Sequence, residues 1–427
     1  MKRSSGILMA VSSLPSPYGI GTLGQAAYDF ADFLHAAGQR YWQMLPLGPT
    51  SYGDSPYQSF STYAGNPYYI DPELLIADGL LTKSECSRCK WGGDPRHVDY
   101  GRIYEKRFDL LRKAFKRGWQ RSGEANERWL PDYALFMACK RHFGMKAWTE
   151  WPDDIRLRKP EALEKYRALL REDVDFFTYL QYLFFRQWER LRDYVHAQGI
   201  RIIGDLPIYV AMDSADVWAE PEFFQLDETL VPNAVSGVPP DYFSADGQLW
   251  GNPLYDWDRM REDGFGWWIR RIDGTGRLYD VIRIDHFRGL DSYWAVPYGE
   301  TTAKNGHWVP GPGMDLVDRL KGWFPQLEFI AEDLGYPTPG VQKLLHDSGW
   351  PGMKVLEFAF DSRDTSNYLP HTYTDHCICY TGTHDNSPLA LWRQEAKPED
   401  IAYAQEYLAL TEAEGFHWGV IRGGMSS

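Results

Sequence analysis

Seven short apolar runs punctuate the chain, and each closes in a polar or Gly/Pro cluster. They are "GILMAVSSL" (6–14), "RYWQMLPL" (40–47), "IRIIGDLPI" (200–208), "VIRIDHF" (281–287), "LEFIAEDLG" (327–335), "MKVLEF" (353–358) and "ICYTGTHD" (378–385). Runs this short and this continuous fit strands buried on both faces. Amphipathic stretches such as "AAYDFADFLHAAG" and "TYLQYLFFRQWERLRDYVHAQG" precede or follow them. In the second, Leu180, Leu183, Phe184, Leu191 and Val195 fall mostly on one helical face, and Gly199 supplies the stop. Strand-then-helix repetition predicts an α/β fold with a parallel sheet covered on both sides.

The gaps between runs are uneven. Residues 71–175 and 209–278 are too long for single crossover helices, so both are expected as insertions in one catalytic domain spanning 1–427. The first is helix-rich and charged, a helical subdomain. The second, with "NAVSGVPPDYFSADGQLWGNPLYDWD", is expected as an aromatic loop subdomain. Seven strands plus insertions fit a (β/α)8 TIM barrel better than an open sheet. The last β/α unit is not assigned, because the sequence ends at Ser427 about where it should begin. A barrel without its closing strand exposes two edges. Low solubility, or pairing with a partner chain, is the expectation that follows.

Charge narrows the ligands. With 45 basic and 59 acidic residues the net is −14, which argues against a nucleic-acid surface and suits a neutral or cationic ligand. Five cysteines at this length make no disulfide framework. Cys86 and Cys89 form a lone C-x-x-C, and Cys377 and Cys379 alternate as in a strand. Free thiols and a cytoplasmic location are expected. The opening apolar stretch is short for a secretion signal, and nothing approaches a membrane span.

"GIGTLG" (19–24) imitates a dinucleotide fingerprint, but Pro15 and Pro17 separate it from its strand. No acidic residue lies between Asp32 and Asp54, where the ribose-binding acid belongs. No G-x-S-x-G elbow, phosphate loop or H-E-x-x-H is present. His371, His376 and His384 lie near Cys377, Cys379 and Asp385 without a recognised ligand spacing. Neither a cofactor nor a metal is called for.

The strand exits carry the chemistry. Asp205 closes the third run, Arg283, Asp285 and His286 the fourth, Glu332 and Asp333 the fifth, and His384 and Asp385 the seventh. In a parallel barrel these ends meet on one face, where active sites lie. Asp285, Glu332 and Asp385 would then share one cavity. Any one of them alone could equally be a salt-bridged rim acid; three at successive strand ends favour a site. Carboxylates without metal ligands or a nucleophilic serine suit glycosyl transfer, whose transition state needs negative charge at the anomeric carbon and an acid at the leaving oxygen.

The motifs "SSLPSPYGIGTLG", "GDSPYQSFSTYAGNPYYIDPELL", "IGDLPIYV", "GQLWGNPLYDW", "RIDHFRGL", "IAEDLG" and "YTGTHDN" closely resemble those of the amylomaltases, the 4-α-glucanotransferases of glycoside hydrolase family 77. The resemblance runs in order from residue 6 to the end. It implies a barrel with inserted subdomains and a retaining, two-step transfer of α-1,4-glucan segments from a maltooligosaccharide donor to an acceptor's 4-hydroxyl. Carried over motif by motif, it implies Asp285 as nucleophile, Glu332 as general acid/base and Asp385 as a grip on donor-sugar hydroxyls. Arg283 and His384 belong with the donor sugar, and Tyr57, Asp205 and Trp250 line the groove. Arg283, two residues before Asp285, is expected to favour its carboxylate form, and repulsion from Asp285 to raise the pKa of Glu332. A retaining pair requires carboxyls about 5–5.5 Å apart. A hydrolase on the same barrel and an inactive glucan-binding chain are the alternatives.

Overall fold

The computed structural model describes residues 3–51, 53–121, 127–241, 244–335, 338–361 and 368–427. Eleven strands lie among them: β1 (Gly6–Leu8), β2 (Tyr41–Gln43), β3 (Arg201–Leu206), β4 (Ala234–Val238), β5 (Gln248–Pro253), β6 (Val281–Ile284), β7 (Ser292–Pro297), β8 (His307–Pro310), β9 (Glu328–Ala331), β10 (Gly352–Val355) and β11 (Cys377–Tyr380). Each of the seven apolar runs contains a strand, in whole or in part. β1, β2, β3, β6 and β9 pair side by side, all parallel. β10 and β11 pair in parallel, and the Ala331 amide donates to the Pro351 carbonyl at 2.9 Å, extending the order from β9 to β10. This is the strand succession of a (β/α) barrel, the class predicted above.

Two-faced burial explains why these strands read as unbroken apolar runs. On one face Ile203, Val281, Ile330 and Met353 form a buried layer, edged by Tyr41, Ile378 and Tyr380. Residues of the other parity, including Trp42, Ile202, Ile282, Ile284 and Phe329, join the main core under the helices. Each such side chain contributes about 1.5–3 kcal/mol of burial. The helix Arg171–Ala197 packs there through Leu180, Leu183, Phe184, Leu191 and Val195, and Gly199 follows at φ 73°. Arg201 and Glu328 pair at 2.5 Å at the start of β3 and β9, leaving the opposite strand ends for the polar groups described below.

Residues 71–175 hold helices such as Tyr100–Gly118 and Leu130–His142, whose Ile103, Leu110 and Phe136 belong to the main core. Buried Arg107 fastens this region, donating to the carbonyls of Ile70 at 3.1 Å and Tyr18 at 3.2 Å. Within 209–278, where a loop was expected, β4 and β5 form an antiparallel pair with a bulge. β4 also pairs with β7, and β7 with β8, making the four-stranded order β5-β4-β7-β8. β7 and β8 lie outside that range, so no local pattern announces the sheet. Helices Leu389–Glu395, Pro398–Tyr407 and Phe416–Met425 follow β11, and the last two close a small core with Leu356 and Phe360. The Arg3 guanidinium donates to the carbonyls of Met425 and Ser427, both at 2.5 Å. Among the described residues no helix is long and apolar enough to cross a membrane.

Candidate active site

Parallel register builds the site. Ile284 lies opposite Ala331, so Asp285 and Glu332 are the next residues out on strands spaced roughly 4.8 Å apart. Hydrogen bonding runs on past the strand ends. The Glu332 amide donates to the Ile284 carbonyl at 3.0 Å, and the Asp285 amide to Leu206 at 3.0 Å. His286 then turns the chain at φ 52°, ψ 48°, a left-handed conformation that costs a non-glycine residue energy and clusters at functional sites. The turn aims the His286 amide at Glu332 Oε2, 2.7 Å away, while the Leu334 amide donates to Oε1 at 2.9 Å. Asp333, of opposite parity, accepts the Met353 amide at 2.7 Å and joins β9 to β10 instead.

One buried cation organises the acids. Arg283, 1% exposed, donates from Nη1 to Asp205 Oδ1 at 2.6 Å and to Asp285 Oδ1 at 3.1 Å. Its Nε meets the Met353 sulfur at 3.3 Å. Tyr57 donates to Asp205 Oδ2 at 2.7 Å, and its hydroxyl lies 2.5 Å from His384 Nε2. The two rings stack at 5.4 Å between centroids. A continuous chain therefore runs Asp285–Arg283–Asp205–Tyr57–His384. Asp385 extends it, its Oδ2 lying 3.4 Å from His384 Nε2 with the carboxylate 67% exposed. Asp285 and Glu332 are thus neighbours at the strand ends, and Asp385 stands on the open rim. The rim turn is fixed locally, with the Asp385 amide donating to Thr383 Oγ1 at 3.2 Å. Trp250, on β5, meets the His286 ring edge-on at 4.7 Å.

Burial works against the Arg283 charge, yet Asp205, Asp285 and Glu332 together push its pKa up. Burial and then the charge of Asp205 raise the pKa of Asp285 well above the ordinary range, against the pull of Arg283. Arg283 does favour the carboxylate form of Asp285, as expected, but burial and Asp205 outweigh it, and Asp205 takes the shorter bond to Arg283. Glu332 is raised too, with burial as the leading cause rather than repulsion from Asp285, while Arg283 and the two backbone amides oppose. Such neighbours titrate as a pair, and the pair holds a proton above the usual carboxylate range. Burial, then Arg288, lowers the pKa of His286 to about 3, so its ring is neutral.

Sequence reasoning gave His286 no site role, although its place beside Asp285 at a strand exit was a signal. It also missed Tyr380, whose hydroxyl donates to Gln43 Oε1 at 2.7 Å. Both Tyr380 and Gln43 belong to inward-facing parities. Replacing Arg283 by methionine keeps length but leaves Asp205 and Asp285 buried without a counter-charge. The expected loss is about 3–5 kcal/mol, read as a lower urea midpoint at pH 7; an unchanged midpoint refutes it.

Paired carboxyls at adjacent strand ends of a parallel barrel, backed by a buried guanidinium and flanked by aromatic rings, define an enzyme of the glycoside-cleaving and glycoside-transferring class. Residues 9–427 match the family described as 4-alpha-glucanotransferase, glycoside hydrolase family 77, and the chain belongs to it. The 4-alpha-glucanotransferase of Clostridium butyricum is 50% identical over 98% of this chain and 88% of its own length. That of Thermus thermophilus is 46% identical over 100% of this chain and 88% of its own. An amylomaltase from Streptococcus agalactiae, solved in complex with acarbose, superposes with a TM-score of 0.95 at 45% identity, covering 99% of this chain and 87% of that one. The chain is accordingly a glycosyltransferase, a 4-alpha-glucanotransferase built on a TIM-barrel-type α/β fold.

Proposed function

We propose that Asp285 is the nucleophile and Glu332 the general acid/base of a retaining transfer between α-1,4-glucan chains. The observation that carries this reading is the adjacency of the two acids at neighbouring strand ends, with Arg283 hydrogen-bonded to Asp285 and not to Glu332. A charge-assisted bond is roughly twice as strong as a neutral one, so within the pair the shared proton belongs on Glu332. Glu332 gives it to the glycosidic oxygen as the Asp285 carboxylate attacks the anomeric carbon. The shortened glucan leaves, and the remaining segment stays as a β-linked ester on Asp285. Glu332, now a carboxylate, takes the proton from an acceptor's 4-hydroxyl, whose oxygen displaces Asp285 and restores the α-link. The carboxyl spacing this requires is about 5–5.5 Å. Asp385, Arg283 and His384 belong to the donor-sugar subsite, and Tyr57, Asp205 and Trp250 line the groove.

Donor and acceptor are maltooligosaccharides in this reading, supported by the acarbose-bound relative. Residues 71–175 and 209–278 are inserted subdomains, the second covering the groove through Trp250 and keeping water from the ester. A cytoplasmic setting belongs to the same proposal, supported by free thiols at Cys86, Cys89, Cys139, Cys377 and Cys379.

Chromatography of maltotriose products tests it. Transfer yields glucose plus longer oligomers with the number of glycosidic bonds constant. Reducing ends rising steadily would instead identify a hydrolase, and no change a binding protein. Trp250→Ala should raise the hydrolysed fraction; an unaltered fraction removes the covering role.

A further inference from the structure

Glu357 lies two residues past β10, between β9, whose exit carries Glu332, and the loop that carries His384 and Asp385. Its amide donates to the Thr381 carbonyl at 3.2 Å, so parallel pairing continues beyond Tyr380 and holds the residue at the barrel mouth. β10 ends at Val355 with Met353 in the inward layer, and Glu357 sits in the short 3-10 turn Leu356–Phe358 that follows it. The Oε1 atom of Glu357 is buried and accepts no hydrogen bond. A Cβ at Gly382 would come within 2.8 Å of that oxygen, so the space it fills exists because residue 382, two before His384, is glycine. Burial alone raises the Glu357 pKa to about 7.

A buried carboxyl oxygen without a donor calls for an explanation. Other buried acids at the strand exits do not share this condition: Asp333 accepts the Met353 amide and Asp205 accepts Arg283 and Tyr57. Glu357 alone of these waits for a partner, and it does so beside the strand exits that carry the proposed site. A neutral polyol brings hydroxyl donors and no charge, which suits a carboxyl oxygen that is buried and has no counter-charge beside it. We propose that Glu357 is a substrate-binding residue whose Oε1 accepts a hydrogen bond from a ring hydroxyl of the bound α-glucan. The inference rests on the glucan-transfer reading above and adds to it a contact that fixes how tightly a sugar is held.

Binding is measured by calorimetric titration of maltotriose into an Asp285→Asn background, which separates affinity from turnover. Adding Glu357→Ala should raise Kd roughly tenfold, the scale of one hydrogen bond to a charged acceptor. The isosteric Glu357→Gln keeps an acceptor, and the rise should be roughly threefold. An ionised carboxylate accepts better than its acid, so affinity in the parent should tighten as pH rises through about 7, and Glu357→Gln should flatten that trend. The titratable groups at the neighbouring strand exits are Glu332 on the β9 side and His384 and Asp385 on the β11 side, while Asp333 and Lys354 have the opposite parity. All remain in both chains, so the difference isolates Glu357. Gly382→Ala should displace the carboxyl and weaken binding without removing its charge. Melting curves confirm folding, and if Glu357→Ala unfolds, the glutamine variant decides. Affinity within twofold of the parent together with an unchanged pH trend overturns the proposal. Retained transfer by Asp285→Asn alone would instead refute the underlying reading.

Discussion

Asp285→Asn is expected to lower kcat/KM for maltotriose disproportionation by at least about 10⁴-fold, or roughly 5.5 kcal/mol of transition-state stabilisation. The amide keeps the size and the Arg283 contact, but it cannot form the glycosyl ester, so no alternative route on this site replaces it. The same substitution should stabilise the fold. The Asp285 pKa is raised by burial and by Asp205, so the folded chain binds its proton more tightly than the unfolded one. Ionisation then costs stability as pH rises above the unfolded value of about 3.9. Asparagine removes that cost, so the variant should melt at higher temperature than the parent at pH 7 and at the same temperature once both carry a neutral group at acid pH. Loss of activity with a gain in stability is the signature of a residue kept for function. A variant that transfers glucose units at near-parental rate, or that melts lower at pH 7, would defeat the assignment.

The barrel was legible because its strands are buried on two faces. Val281, Ile282 and Ile284 are all fully buried, and a run of that kind has few other homes than a parallel sheet. The second sheet was hidden because β4 finds its partners at β5 and β7, and such pairing leaves no local period. Parity explains the site. Arg283 and Asp285 share a face two residues apart, and the register sets Asp205 beside Arg283; both facts follow from alternation once the strands are placed. The division of labour between Glu332 and Asp333 was open to the same argument. Asp385 was not, since the turn at Thr383 and Asn386 decides where it points. Glu357 passed as the end of an apolar run, because lacking a partner is a property of three dimensions and leaves no mark in sequence.

The sharing of one cation among several acids accounts for both the chemistry and its cost. Asp205 takes the shorter bond to Arg283 at 2.6 Å and Asp285 the longer at 3.1 Å. Asp205 is thereby the closer partner of Arg283, and the Asp285 carboxylate shares what is left of that cation's compensation. In the proposed role of nucleophile, Asp285 is poorly compensated in the free enzyme. A developing positive charge on the sugar ring improves its position, which is differential stabilisation of the transition state.

Glu332→Gln should slow disproportionation of maltotriose by about 10²–10⁴-fold, the usual worth of a positioned acid/base. Glutamine keeps the size and one acceptor oxygen, so it retains one of the two bonds from the His286 and Leu334 amides while its NH2 faces the other. The transferable proton is lost. Protonation matters only where the leaving oxygen is poor. A maltosyl fluoride, whose leaving group needs no proton, should therefore react with Asp285 in the variant at a rate near that of the parent. The ester should then accumulate, because no base remains to activate the acceptor, and mass spectrometry of the intact chain should detect it. The pH profile gives an independent sign. The Glu332 pKa is raised, chiefly by burial, so the acid stays protonated to higher pH than an exposed glutamate. Parental activity should fall on the alkaline side as that proton leaves, and this limb should vanish in the variant. Equal loss with the fluoride and with maltotriose, with the alkaline limb intact, would take the acid/base role away from Glu332.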